Sequence, residues 1–125
     1  MMKKSRSMLL AVSAALALST AYGHGAPTPN HGGIVQAVGD TWLELVPAGG
    51  KIELYVEDDG DPMPSAGLSG HVSVENGGTK ADYVLKPAGG NKLEAAGARV
   101  PKGAKVIAVL VLADKTKVPA TFVVK

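Results

Sequence analysis

The 125-residue chain predicts an all-β fold: a single antiparallel, immunoglobulin-like β-sandwich of seven to eight short strands. Three observations carry this. Apolar and polar residues alternate with period two over several short stretches. Clusters of Gly, Pro, Asp and Asn separate those stretches at near-regular spacing. Beyond the N-terminal apolar run, no segment has a convincing helical period.

The elements follow in order. "GIVQAV" (33–38) runs into a Gly39-Asp40 turn, and "TWLELVP" (41–47) ends before Gly49-Gly50. In "KIELYVE" (51–57), Ile52, Leu54 and Val56 share one face, and Lys51, Glu53, Tyr55 and Glu57 the other. That is the pattern of a half-buried strand. "DDGDPMPSAG" (58–67) reads as a turn-rich loop, and "HVSVE" (71–75) turns Val72 and Val74 inward. Asn76-Gly77-Gly78 is a hairpin signal. It leads into "TKADYVLK" (79–86), then a turn and the weaker "NKLEAAG" (91–97). "KVIAVLVLA" (105–113) is apolar on both faces and reads as a central strand; its Val and Ile content argues against a helix. "TKVPATFVVK" (116–125) carries Pro119, which suits an edge. The expected core is Ile34, Leu43, Leu45, Ile52, Leu54, Val56, Val72, Val74, Leu110 and Leu112.

The N-terminus has a different character. Lys3, Lys4 and Arg6 precede an 11-residue apolar run, Met8 to Leu18, followed by small residues. This is the pattern of a secretory signal peptide spanning residues 1–23, too short for a membrane span of about 20 apolar residues. Cleavage after Ala21 leaves Tyr22 first; cleavage after Gly23 leaves His24 first. The domain organisation expected is then a signal peptide (1–23), a flexible His/Gly/Pro leader (24–32) and the β-sandwich (33–125). The expected location is the periplasm or the exterior, with no membrane span in the mature form.

Composition excludes several classes. Removing Lys3, Lys4 and Arg6 from thirteen basic residues leaves ten against eleven acidic ones, a mature net charge of about −1. No basic, aromatic-interleaved stretch for nucleic acid remains. There is no cysteine, hence no disulfide and no thiolate. Ser65, Ser69 and Ser73 lie in no nucleophile motif, and no carboxylate pair stands outside the turn at Glu57–Asp61, so no enzyme is expected. That turn lacks the 12-residue ligand pattern of a calcium loop and reads as solvated.

The metal-capable side chains are concentrated at the start. "YGHGAPTPNHGG" (22–33) holds two of the three histidines with little that can pack. With His24 first, the terminal amine and its own imidazole chelate a cation. With Tyr22 first, Tyr-Gly-His offers an amine, two backbone amides and the imidazole in a plane, a set that suits Cu(II) or Ni(II). His31 lies within reach of either. It has a structural reading as well, opening the first strand where Gly32-Gly33 permits tight backbone entry. His71 is a surface imidazole or a further ligand, and Met63 a soft thioether donor. Trp42, Glu44 and Val46 share a strand face; Trp42 is read either as a buried aromatic or as an outward ring covering Cu(I) near His31.

"HGGIVQAVGDTWLELV", "GGKIELYVEDDGDPMPSAGLSGHVSVENGG" and "LKPAGGNKLEA" together resemble a small exported β-sandwich family. That family is similar to a domain attached to periplasmic adaptor proteins of heavy-metal efflux pumps. The resemblance covers about Asn30 to Val124. It implies binding of copper or related ions and an efflux system or its adaptor as partner; nickel and zinc are the alternative ions for the donor set. His31 and Glu44 match the family pattern, whereas Trp42 stands where members commonly carry a His. The metal set expected is therefore His24, His31, Glu44, His71 and Met63, in a protein that buffers or delivers metal. The alternative is a metal-independent sandwich that docks on an export or envelope partner.

Overall fold

The computed structural model describes residues 26–125, so the signal-peptide segment and His24 lie outside the described residues. The described chain is all-β, with strands β1 (Ile34–Val38), β2 (Thr41–Pro47), β3 (Lys51–Asp58), β4 (Asp61–Pro62), β5 (Ser69–Asn76), β6 (Thr79–Pro87), β7 (Lys92–Ala96), β8 (Lys105–Val111) and β9 (Lys117–Val123). Each strand expected from the alternation is present, within a residue or two of its expected ends. The addition is the two-residue β4, too short to show any period.

All pairings are antiparallel, in the order β1-β2-β3-β7-β6-β5-β8-β9, with β4 beside β3. One sheet is β1-β2-β3-β7 and the other β6-β5-β8-β9. Strand β6 belongs to both: Thr79–Leu85 pairs with β5, while Lys86 and Pro87 pair with Glu94 and Leu93 of β7. The outermost strands β1 and β9 come alongside one another with no ladder between them among the described residues. The sandwich is thereby nearly closed, like a barrel.

The turns obey their sequences. Asp59-Gly60 joins β3 to β4 with φ of 50° and 95°, and Gly77-Gly78 joins β5 to β6 with 58° and 91°. Two positive φ angles are what a type I′ hairpin turn requires. The acidic stretch at Glu57–Asp61 is thus a hairpin turn. Strand β8 sits between β5 and β9 as a central strand, and β9, which carries Pro119, pairs only with β8.

Inward faces of both sheets fuse into one core containing Leu43, Leu45, Ile52, Leu54, Val56, Val72, Val74 and Leu110. Two expected members are corrected: Ile34 and Leu112 are only partly buried and pack against the core's rim, because each lies at a strand end. The largest fully buried side chain is Phe122, in the last strand, whose neighbours Thr121 and Val123 face outward. The buried-aromatic reading of Trp42 is also corrected. Leu43 and Leu45 take the inward face of β2, so Trp42 is half-buried on the outer one, close to the Gly60 turn.

A carboxylate clamp on the outer sheet face

The outer face of the first sheet carries Glu44 on β2, with Tyr55 of β3 directly opposite. Glu44 is nonetheless only 6% exposed, because the residues before β1 lie across it. Its Oε1 accepts the Asn30 N–H (3.1 Å) and the His31 Nδ1 (3.0 Å). Its Oε2 accepts the N–H groups of His31 and Gly33, each at 2.8 Å. A carboxylate has about four lone-pair sites, and here four donors fill them. Burial pushes the Glu44 pKa up, but the His31 side-chain bond, then those from Gly33, His31 and Asn30, outweigh it and hold the group below its ordinary range.

The approach of this strap depends on glycine. Gly32 has φ of 74°, a left-handed conformation that costs other residues about 1–2 kcal/mol. Gly33 lies so close to β2 that a Cβ would run into the Leu45 carbonyl and the Val46 side chain. Tight backbone entry at Gly32-Gly33 is therefore what the structure contains. Asn30 adds a second tie, donating from Nδ2 to Glu57 Oε2 at 2.8 Å.

His31 stacks on Tyr55 with ring centroids 3.6 Å apart and planes 7° from parallel. The Tyr55 hydroxyl donates weakly to Glu53 at 3.4 Å. Burial first, and then the Glu53 charge, hold the phenol above its ordinary pKa, so the ring stays neutral. Because an ionised Glu44 only accepts, Nδ1 of His31 carries the proton. In the neutral ring, Nε2 is then the lone-pair nitrogen, and no hydrogen bond ends on it among the described residues. The His31 side chain is 41% exposed. A carboxylate that fixes the tautomer of an imidazole is the usual support of a metal-ligating histidine.

Beside the clamp, Glu53 and Glu94 are opposed on β3 and β7. Lys51 and Lys92 bridge them, with Lys51 Nζ to Glu94 Oε2 at 2.9 Å and Lys92 Nζ to Glu53 Oε2 at 3.5 Å. This relieves a like-charge pair that would otherwise oppose the pairing.

The expected metal residues are thus distributed unequally. His31 and Glu44 are brought together, with Glu44 fully engaged by protein donors. His71 is exposed on β5 of the other sheet, and Met63 is half-buried against the core. The ring stacked on His31 is Tyr55, not Trp42. No group of three or more His, Cys, Asp and Glu suited to an ion stands among the described residues. Tyr55 and Asn30 were not singled out by sequence reasoning. The signal for Tyr55 was the Gly49-Gly50 turn, whose register places it opposite Glu44.

Fold and clamp together define a class: a small all-β sandwich with an N-terminal strap fixed to one sheet by a buried carboxylate. Compared with known proteins, the chain matches no family model, no curated protein and no solved structure.

Proposed function

We propose that this protein is an exported β-sandwich that binds copper-type ions through its N-terminal strap and buffers or passes them to an efflux system. The observation that carries this reading is the presentation of His31: Nδ1 is bound to Glu44, one ring face is covered by Tyr55, and Nε2 is left as a lone-pair donor near solvent. In this reading Glu44 positions the imidazole and is not itself a ligand. The described residues offer one oriented nitrogen; His24, seven residues earlier in sequence, and a terminal amine created by processing supply the rest. The chemistry of that donor set, imidazole and amine nitrogen, suits Cu(II) or Ni(II) and then Zn(II). The motif resemblance to the efflux-adaptor domain points the same way.

A Cu(II) titration followed by its visible spectrum tests this. Four forms are needed: the exported chain with its natural terminus, an N-terminally extended chain, His24→Ala and His31→Ala. The natural form should bind one equivalent, and the other three at least tenfold more weakly. Equal affinity in all four overturns the reading.

A further inference from the structure

Strand β8 is apolar on both faces. Val106 and Leu110 enter the core, while Ile107, Val109 and Val111 point outward and are only half-buried. An antiparallel strand with one wet face normally alternates apolar and polar residues, and continuous apolar sequence marks a strand covered on both sides. The rest of this outer face is open. Val84 on β6 is 63% exposed and Val123 on β9 is 58% exposed. Ser73 alone is buried there, beneath Asp82, which accepts its hydroxyl. On the first sheet the corresponding face carries the strap and the network of Lys51, Glu53, Lys92 and Glu94. The second sheet thus presents an uncovered apolar patch, the mark of an interaction surface.

We propose that this face binds a second copy of the chain, sheet against sheet. The register sets its outward side chains in rows across β6-β5-β8-β9. One row is Val84, His71, Val109 and Pro119; another is Lys80, Glu75, Lys105 and Val123. Glu75 and Lys105 already approach to 3.8 Å within one molecule. A two-fold axis running along the strands, between β5 and β8, lays β5 on β8 of the copy and β6 on its β9. Each Glu75 then meets Lys105 of the other copy, and two ion pairs become a ring of four alternating charges. In the apolar row, Val84 meets Pro119 and His71 meets Val109. An axis across the strands instead sets Glu75 over Ser69 and Lys105 over Val111 and matches no charges. The charge pattern therefore selects both the partner and its orientation. The face measures about 19 by 24 Å, from strands about 4.8 Å apart and residues about 3.4 Å apart. That falls short of the ~800 Å² per partner of a standard interface, so the dimer is weak and concentration-dependent. This surface lies on the other sheet from the His31 clamp and does not rest on metal binding.

The test is sedimentation equilibrium on the exported chain, kept metal-free with a chelator, from micromolar to millimolar protein. Monomer and dimer should both be populated in that range. Val84→Lys and Lys105→Glu should each weaken association at least tenfold. The double exchange Glu75→Lys with Lys105→Glu should restore it, because it keeps opposite charges face to face. Val38→Lys, on the first sheet, should change nothing. These positions are exposed or half-buried on outer faces, so the variants should keep the wild-type circular dichroism. The chain has no cysteine, which allows a second measurement by oxidative crosslinking. Val84→Cys with Pro119→Cys should give a covalent dimer, and Val84→Cys alone should not, since the two Val84 side chains lie at opposite margins of the interface. A monomer throughout the concentration range overturns the proposal. So does a dimer indifferent to Val84→Lys, one that the charge exchange fails to rescue, or one crosslinked by Val84→Cys alone.

Discussion

His31 is bound to Glu44 twice, by its backbone N–H to Oε2 at 2.8 Å and by its ring Nδ1 to Oε1 at 3.0 Å. One residue thus ties down both the path of the strap and the orientation of an imidazole. The Asn30 and Gly33 N–H groups make the carboxylate the centre of four bonds. Removing the carboxylate and removing the imidazole should therefore have different consequences.

Glu44→Gln should destabilise the fold by about 1.5–3 kcal/mol at neutral pH, the scale of hydrogen bonds to a charged group. The loss should depend on pH. The folded pKa lies below the ordinary 4.5, so the unfolded chain takes up the proton first. The carboxylate's contribution is then fully present above that ordinary value and disappears as pH falls through the folded one. Thermal midpoints of wild type and Glu44→Gln, measured across pH, should converge in acid. A constant gap would show that the charge is not what holds the strap.

His31→Ala removes one bond to Glu44 and the stack on Tyr55 but keeps three backbone donors. Its cost should be smaller, about 0.5–1.5 kcal/mol. Tyr55→Phe keeps a ring beneath the imidazole and should leave both stability and copper affinity near wild type. Urea unfolding and a Cu(II) titration on the two variants would separate packing from ligation. If Tyr55→Phe lost copper as His31→Ala does, the phenol oxygen would be part of the site.

Gly33→Ala should cost about 1–3 kcal/mol through forced displacement of the strap, because the new methyl meets the Leu45 carbonyl and the Val46 side chain. Gly32→Ala has open space around it and should cost only the left-handed backbone penalty of about 1–2 kcal/mol. Hydrogen exchange at the Asn30 and His31 amides should accelerate in Gly33→Ala. Unchanged protection there would mean that the strap tolerates the methyl.

Leu54 is fully buried between β2 and β7. Leu54→Ala should cost about 2–5 kcal/mol, a large share of a small domain's stability. The buried core is built from aliphatic side chains and Phe122, so a chelator should leave the wild-type unfolding curve in place. Unfolding by a chelator would show that the ion contributes to the fold itself.

Strands were legible because a sheet with one wet face writes a period of two into the chain, as in Lys51–Asp58. β4 was not, since two residues carry no period. Neither was the pairing of β3 with β7: Tyr55 and Lys92 meet across a long stretch of chain, and nothing local in either strand names its partner. Trp42 misled for a related reason, because its large apolar ring sits on the outer face where alternation expects polarity. At the clamp, His31 stood out in the histidine-bearing start of the chain, and Glu44 through motif resemblance. That Glu44 binds backbone N–H groups could not be read, because main-chain donors are the same in every residue. Tyr55 occupied a position that alternation assigns to water, and the strap covers it.

Strand β6 gives seven residues to one sheet and its last two to the other. Neither sheet is therefore complete until this strand has found both neighbours. The pairing of Ser69 with Val111 also requires chain from far apart. A nascent or truncated chain that stops before residue 105 would leave β5 without its central neighbour, its valines uncovered. Half-molecules should therefore be unstable, and the strands should assemble in one concerted, comparatively slow event governed by contacts distant along the chain.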